Sequence, residues 1–265
     1  MIKLSVIIPS YKDPLLFKTI DSLLTSSALG DKLEVIAVMD GYWPSGDLLI
    51  DDSRVRYVHL GGNVGMRRAI NAGVSVARGE FLMRTDEHCM FAPGFDKAMV
   101  SVCRPNWIMT ATRFFLDPIK WEVMADHSPV NHEKLIIQGG IKFAGKRWPE
   151  QDKVMAGRKL SETMAMQGSC WVMPHKWWKD TIGELQHEGY GPLYQDSHEM
   201  VFKTWQAGGA MILNKRTWFA HKHRSFARTH NNGTAENKHT KENWLYSLNT
   251  WRDYYEKEVV PKWGI

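Results

Sequence analysis

Two acids and an imidazole stand together in Asp86-Glu87-His88, directly after the apolar run "GEFLM". In an extended segment, residues two apart point to the same side, so Asp86 and His88 could share one ion while Glu87 faces away. An oxygen and an imidazole nitrogen suit manganese or zinc better than calcium. On its own, a D-x-H segment is a weak signal that occurs often by chance, and a polar strand end is the first interpretation.

The first half of the chain alternates strand and helix patterns that would position this segment. Apolar, β-rich runs predict strands at 3–9, 33–40, 55–60 and 80–86, and apolar residues at helical spacing predict helices within 14–27 and 61–79. This order predicts an α/β fold with an open, mostly parallel sheet covered on both faces. Ligands of such sheets lie beyond the carboxyl ends of the strands, where four polar or glycine-rich segments converge: 9–11, 40–41, 61–63 and 86–88.

The second half is less regular. Residues 116–165 are rich in proline and glycine and predict few elements, whereas 169–185 predict a strand followed by a helix. The segment 196–209 reads as a helix that glycines terminate, 210–221 as a strand, and 241–260 as an amphipathic helix. The pattern predicts one domain with a C-terminal appendage.

Composition excludes several classes. Among 265 residues, 43% are hydrophobic and 24% charged, typical of a globular protein, and no apolar run reaches the length of a membrane span. The N-terminus lacks the features of a signal peptide, and three widely spaced cysteines favour a reducing compartment, so we expect a cytoplasmic protein without a membrane anchor. The net charge is +5, and the segment 215–228 combines Lys, Arg, His and aromatic residues without an acid. Such a surface attracts phosphates, although a solvated basic face explains it equally well.

The order of five segments resembles the GT-A glycosyltransferases, particularly the family-2 enzymes and the polypeptide N-acetylgalactosaminyltransferases. The segments are "SVIIPSYKD", "VIAVMDG", "GGNVGMRRAINAGVSVARGEFLMRTDEHC", "QDSHEMVFKTWQAGG" and "AHKHR", covering about residues 4–96 and 165–224. The resemblance implies a Rossmann-like GT-A domain over 1–225 with a helical appendage at 226–265. It also implies transfer of a sugar from a nucleotide-sugar donor, expected to be a UDP-sugar.

The resemblance assigns site residues as well. It implies that Asp86 and His88 hold Mn²⁺ (or Mg²⁺), with His221 of "HKHR" as a third ligand; a basic surface loop is the alternative for His221. It places the nucleotide against Ser10, Tyr11, Asp13, Asp40, Arg68 and Asp86. Arg68 matches the helix arginine of the family, yet its neighbour Arg67 could be the one that turns inward, because adjacent helix residues point about 100° apart.

For catalysis the resemblance singles out Asp196 and Glu199, three apart on one helix. The family's usual general base falls on Ser197, a poor base. Two hypotheses follow: Asp196 is the base after a one-residue shift, or the enzyme retains anomeric configuration and needs no such base. Helix N-terminal acids that favour the helix dipole are the structural alternative for at least one of the pair.

The matched segments do not identify the acceptor. Basic, aromatic-rich composition leads us to hydroxylated bases in DNA as the first hypothesis and to a bacterial surface glycan as the alternative. A non-catalytic nucleic-acid-binding protein is a rival from another class, but it gives no reason for Asp86, His88 and His221 together. A nucleotidyltransferase is less consistent, because "PSYKDP" lacks the glycines and arginine of its first loop. The identity of the sugar and the oligomeric state are not encoded in these patterns.

Overall fold

The first half of the chain forms a parallel sheet with helices between its strands. The protein is described by a computed structural model that covers residues 1–191, 195–223 and 240–265. The elements of this half are β1 (Leu4–Ser10), α1 (Leu16–Ser26), β2 (Leu33–Asp40), β3 (Val55–Leu60), α2 (Met66–Ser75), β4 (Phe81–Thr85), β5 (Cys89–Phe91) and α3 (Phe95–Val100). The four predicted strands are therefore confirmed.

The second half adds strands of both directions and the C-terminal helices. Its elements are β6 (Trp107–Asp117), β7 (Glu122–Val123), β8 (Glu133–Gln138), β9 (Lys142–Arg147), α4 (Pro149–Val154), β10 (Leu160–Glu162), β11 (Cys170–Pro174), α5 (His175–Trp177), α6 (Asp196–Gln206), β12 (Ala210–His221), α7 (Thr240–Tyr254) and α8 (Val260–Trp263). Two π-helical turns, Trp178–Ile182 and Tyr255–Val259, follow α5 and α7.

The strands combine into a mixed, mostly parallel central sheet of order β10-β12-β6-β11-β4-β1-β2-β3. The β4-β1-β2-β3 half is parallel throughout, and β6 and β12 are also parallel to each other. Strand β11 runs antiparallel between β4 and β6, while β5 pairs with the end of β12. The last pairing sets His221 opposite Cys89, which brings the chain after β4 next to the carboxyl end of β12.

Both faces of the sheet are buried under helices, as the uninterrupted apolar strands require. In β1, Val6 and Ile8 belong to the cluster beneath α1 and α3, whereas Ile7 belongs to the cluster beneath α2, α6 and α7. The predicted α/β architecture with a mostly parallel sheet is confirmed, with an antiparallel component that the sequence pattern did not reveal.

The C-terminal helices pack onto this body. Trp251 of α7 stacks on Phe202 of α6, and its indole N–H donates to Tyr190 Oη at 2.5 Å. Tyr255 Oη donates to the Leu135 carbonyl at 2.8 Å. The predicted boundary between 225 and 226 lies outside the described residues, as do Arg224, Phe226 and Arg228 of the basic segment, and the two-part division stays a prediction. No helix in the described ranges is both long and apolar enough to cross a membrane.

Candidate functional site

Asp86, His88 and His221 meet at the carboxyl edge of the sheet. Asp86 Oδ2 lies 3.0 Å from His221 Nε2 and 3.8 Å from His88 Nε2, and the two imidazole centroids are 4.9 Å apart. One ligand atom from each residue fits within a 4.8 Å group. Asp86 and His88 approach where the chain bends between β4 and β5, and His221 arrives because β12 pairs with β5. One oxygen and two nitrogens form a donor set suited to Mn²⁺ or Zn²⁺.

The protonation states of these residues suit metal binding. Burial raises the pKa of Asp86, but the charge of Arg84 and the hydrogen bond to His221 outweigh it and hold that pKa well below its usual range. Burial lowers the pKa of His221 to about 4, despite the opposing effect of Asp86. The carboxylate is therefore ionised and the His221 imidazole neutral at pH 7, as metal ligands must be.

Asp13 orients His88. Its Oδ2 lies 3.1 Å from His88 Nδ1, so a proton on Nδ1 can be donated to the carboxylate while Nε2 keeps its lone pair towards Asp86 and His221. A carboxylate behind a ligating imidazole is the arrangement that fixes the tautomer of metal-bound histidines. Asp13 was predicted to contact the nucleotide; that contact stays a prediction, and the structure places the side chain directly behind a candidate metal ligand.

The first loop brings a serine hydroxyl and two tyrosine rings together close to this cluster. Ser10 Oγ and Tyr42 Oη are 2.6 Å apart, and the Tyr11 and Tyr42 rings meet edge to face at 6.0 Å. The Tyr11 backbone N–H donates to Glu87 Oε2 at 2.9 Å, so Glu87 turns towards the first loop while its neighbours face each other. Burial raises the pKa of Tyr42 to about 12, which keeps its hydroxyl protonated as a hydrogen-bond donor.

Asp40 closes the turn before α2. Its two carboxylate oxygens accept the Val64 and Gly65 backbone N–H groups at 2.7 and 2.9 Å. Gly41 permits this close approach, since a Cβ there would lie 2.2 Å from the Asn63 nitrogen and the backbone has φ +76°. Burial raises the pKa of Asp40 while both hydrogen bonds oppose the shift. Each oxygen keeps a second lone pair that can accept from another donor. The contact of Asp40 with the base or ribose stays a prediction.

Helix α2 turns Arg67 inward and leaves Arg68 exposed. The Arg67 guanidinium is fully buried and ion-paired with Glu199, donates from Nε to the Gln186 carbonyl at 2.7 Å, and lies 4.4 Å from the Tyr190 ring centroid. Burial lowers its pKa to about 10. The structure thus does not bring Arg68 to the metal cluster, and its contact with a nucleotide remains a prediction.

Glu199 also lies away from the cleft. Besides Arg67, it contacts Lys203 Nζ at 2.8 Å, and its carboxylate is 1% exposed. These contacts make it the anionic centre of a buried charge network that joins α2 to α6. They favour the structural alternative over the predicted catalytic role.

Asp196, the first residue of α6, lines a cleft with Arg84, Asp86 and Ser197. Its Oδ2 is buried and has no hydrogen-bond partner among the described residues. A Cβ at Gly168 would stand 3.0 Å from that oxygen, so a glycine at 168 leaves room for it. The residue before it, Gln195, adopts a left-handed backbone at φ 59°, a conformation that costs energy in a non-glycine residue and is common at functional sites.

The family model for Glycosyl transferase family 2 matches residues 5–143, which is more than half of the chain. The chain belongs to glycosyl transferase family 2. It is therefore a glycosyltransferase, and its matched region contains β1 to β4, the D-x-H segment and the loops around Ser10 and Asp40. No curated protein matches the chain.

Solved structures extend the comparison over the whole chain. The crystal structure of GalNAc-T7 with UDP, GalNAc and Mn²⁺ superimposes with a TM-score of 0.75 at 14% identity, over 98% of this glycosyltransferase. The chain spans 50% of the length of that protein. At this identity the likeness shows the fold, and it confirms the GT-A architecture.

Arg84 is the site residue that sequence reasoning missed in this glycosyltransferase. The guanidinium is 2% exposed, with Nη2 2.5 Å from Asp86 Oδ1 and Nη1 bound to the Gly168 carbonyl. Its Nε is buried without a hydrogen-bond partner in the described part of the chain. The signal was a charged residue inside the otherwise apolar run of β4, where two buried faces leave no solvent for it.

Proposed function

We propose that this glycosyltransferase transfers a sugar from a UDP-sugar to a hydroxyl acceptor and depends on Mn²⁺ or Mg²⁺. The observation that supports this best is the meeting of Asp86, His88 and His221, which lie up to 135 positions apart in sequence, within one 4.8 Å group. A polar strand end would not require a distant histidine, nor the Asp13 carboxylate behind His88.

In this proposal Asp86, His88 and His221 hold the cation. When bound, the metal neutralises charge that develops on the departing nucleoside diphosphate. The buried Arg84 guanidinium, fixed by Asp86 and Gly168, adds a cation already oriented before the donor arrives. Such groups stabilise a transition state without reorganising at the moment of reaction.

The nucleotide lies across the first loops. Tyr11 and Tyr42 supply the aromatic wall, Ser10 a hydroxyl, and Asp40 the remaining lone pairs of its two oxygens for an N–H or O–H donor. These groups surround the carboxyl ends of β1 and β2, where ligands of parallel sheets bind.

Asp196 acts on the sugar or acceptor hydroxyl. Its buried Oδ2 lacks a partner among the described residues and shares the cleft with the unpartnered Nε of Arg84. A hydroxyl satisfies both, because it donates to a carboxylate and accepts from a guanidinium N–H. This pairing allows Asp196 to serve as general base, the first of the two hypotheses drawn from the sequence; under the second, retention of anomeric configuration, no such base is needed.

The metal site is tested by calorimetry of UDP with and without Mn²⁺. We expect Mn²⁺ to strengthen UDP binding by about tenfold or more, and His221→Ala or Asp86→Asn to abolish that difference, because each removes one of three ligands. His59→Ala, at an exposed position, is the control. Thermal melts verify folding. UDP affinity in the parent protein that is indifferent to EDTA would contradict the proposal.

For the acceptor, we propose hydroxylated bases in DNA, reached in the cytoplasm. Lys215, Arg216 and Lys222 supply positive charge among the described residues of the segment 215–228. If about three phosphates are contacted, log K for a hydroxymethylated duplex falls with log salt at a slope of roughly −2 to −3. We would measure this from low to moderate salt against a plain duplex. Absence of binding at low salt would favour the bacterial surface glycan instead.

A further inference from the structure

A basic cluster lies beside the metal ligands and belongs to none of the roles above. It consists of Arg113 and Phe115 on β6, Arg147 on β9 and His223 after β12. We propose that this basic cluster binds a phosphate of the acceptor, beside the hydroxyl that receives the sugar. The inference rests on the proposed glycosyl transfer and names the chemistry of its second substrate.

Contacts within the basic cluster join Arg113 through His223 to the Phe115 ring, over which Arg147 lies. Arg113 Nη1 is 2.5 Å from His223 Nε2, and the His223 and Phe115 ring centroids are 4.7 Å apart. The Arg147 guanidinium lies 5.5 Å from the Phe115 centroid. Since Arg113 has only N–H donors, His223 accepts this hydrogen bond through the lone pair of Nε2. His223 thus orients Arg113 without consuming its charge.

Charge in the basic cluster is incompletely balanced. Glu133 is the acid that faces it; its side chain is 13% exposed, and Oε1 lies 3.5 Å from Arg113 Nη2, longer than a usual charge-assisted hydrogen bond. Asp126 is exposed and lies 2.9 Å from the His127 ring nitrogen. Arg113 and the exposed Arg147 therefore lie near a single, partly buried carboxylate. Arg113 is 7% exposed, and a buried cation with so little compensation is costly unless a ligand anion joins it.

The basic cluster lies close to the proposed reaction site. The His223 and His221 rings are 5.0 Å apart, so the cluster begins beside the third candidate metal ligand. Glu133 lines the same cleft as Asp86 and Asp196, opposite Arg147 in the β8–β9 register. An acceptor whose hydroxyl enters the cleft can thus place an adjacent phosphate against Arg113 and Arg147. The planar forks of two arginines match phosphate oxygens.

The test uses two pairs of probes that differ in charge, titrated into protein loaded with Mn²⁺ and UDP. Hydroxymethyl-deoxycytidine and its monophosphate form the phosphate pair; glucose and glucuronate form the carboxylate pair. We expect the monophosphate to bind about tenfold or more tightly than the nucleoside, as charge-assisted hydrogen bonds to arginine predict. Arg147→Gln and Arg113→Gln should each reduce that preference to about threefold or less. A comparable preference for glucuronate would assign the site to carboxylate acceptors as well as phosphates.

Lys146→Gln is the matched control. It removes one charge from the same strand, but adjacent strand residues face opposite sides, so it should leave the preference intact. Arg147 is exposed, so Arg147→Gln decides the test should Arg113→Gln fail to fold. Equal binding of nucleoside and monophosphate, or a preference that survives both arginine substitutions, overturns the inference while Mn²⁺–UDP binding stays intact. Loss of Mn²⁺–UDP binding in the parent protein instead overturns the proposed function, and this inference with it.

Discussion

Substitution of Glu199 by Gln separates a structural role from a catalytic one. The carboxylate is 1% exposed and contacts two cations, the fully buried Arg67 and Lys203 at 2.8 Å. An amide of the same shape keeps a hydrogen-bond acceptor but removes the negative charge. Arg67 then stays buried, with the Gln186 carbonyl and the Tyr190 ring among its partners.

The expected cost follows from that burial. Removing one member of a buried ion pair costs about 3 to 5 kcal/mol, because the other charge is left uncompensated. The retained partners of Arg67 and the partial exposure of Lys203 place the expected loss near the lower end, about 3 kcal/mol. For a chain of this size, such a loss lowers Tm by roughly 6 to 12 °C.

Urea unfolding followed by circular dichroism measures the effect, with donor hydrolysis recorded below the transition. We expect Glu199→Gln to unfold at lower urea with an unchanged m-value and to keep most of its activity. Glu188→Gln, the same change at an exposed position, should stay within about 0.5 kcal/mol of the parent protein. Unchanged stability together with abolished turnover would refute the reasoning and restore Glu199 as a catalytic residue.

Two further predictions concern the start of α6. Asp196→Asn should lose about tenfold or more in kcat/KM, which corresponds to a barrier higher by at least roughly 1.4 kcal/mol, while Ser197→Ala keeps most activity. NMR of the product anomeric proton distinguishes inversion from retention. Full activity of Asp196→Asn would show that Asp196 has no essential role. Burial lowers the pKa of His198 from 6.5 to about 4. Its unfolded form therefore takes up a proton first as pH falls, so the stability that neutral His198 contributes is present above pH 6.5 and lost towards pH 4. His198→Asn should remove about 1 to 3 kcal/mol of that pH dependence in urea titrations; a pH profile identical to that of an exposed control, His59→Asn, would contradict this.

Sequence patterns predicted the parallel half of the sheet because its strands are buried on both faces. The run Leu33–Asp40 is entirely buried, and such continuous apolar segments end where the polar loops begin. In the region 116–165, the sequence shows no clear secondary-structure pattern because its strands are not buried on both faces. Its hairpin strands, Glu133–Gln138 and Lys142–Arg147, are short, only partly buried and rich in charge, so no periodicity identifies them.

The candidate metal ligands could be predicted from the sequence because they lie in motifs whose order resembles that of the family. The partners of those candidates were not. Asp13 behind His88, and Glu199 between Arg67 and Lys203, depend on which element packs opposite which, and residue spacing does not encode that. Spacing did establish that Arg67 and Arg68 point about 100° apart, but only the packing of α2 on α6 decides which one is buried.

The cation of the cleft consequently comes from a strand, at Arg84, rather than from helix α2. Arg84 Nη2 lies 2.5 Å from Asp86 Oδ1, whereas Asp86 Oδ2 faces His221 and His88. The two carboxylate oxygens therefore contact different partners. The charge of Arg84 also lowers the pKa of Asp86 against the effect of burial, and this lowered pKa helps to keep the carboxylate ionised. An ionised carboxylate held by a buried arginine needs no metal to stay in place. In the proposed metal site, Asp86 Oδ2 is therefore oriented before a cation binds, and reorganisation adds little to the cost of binding.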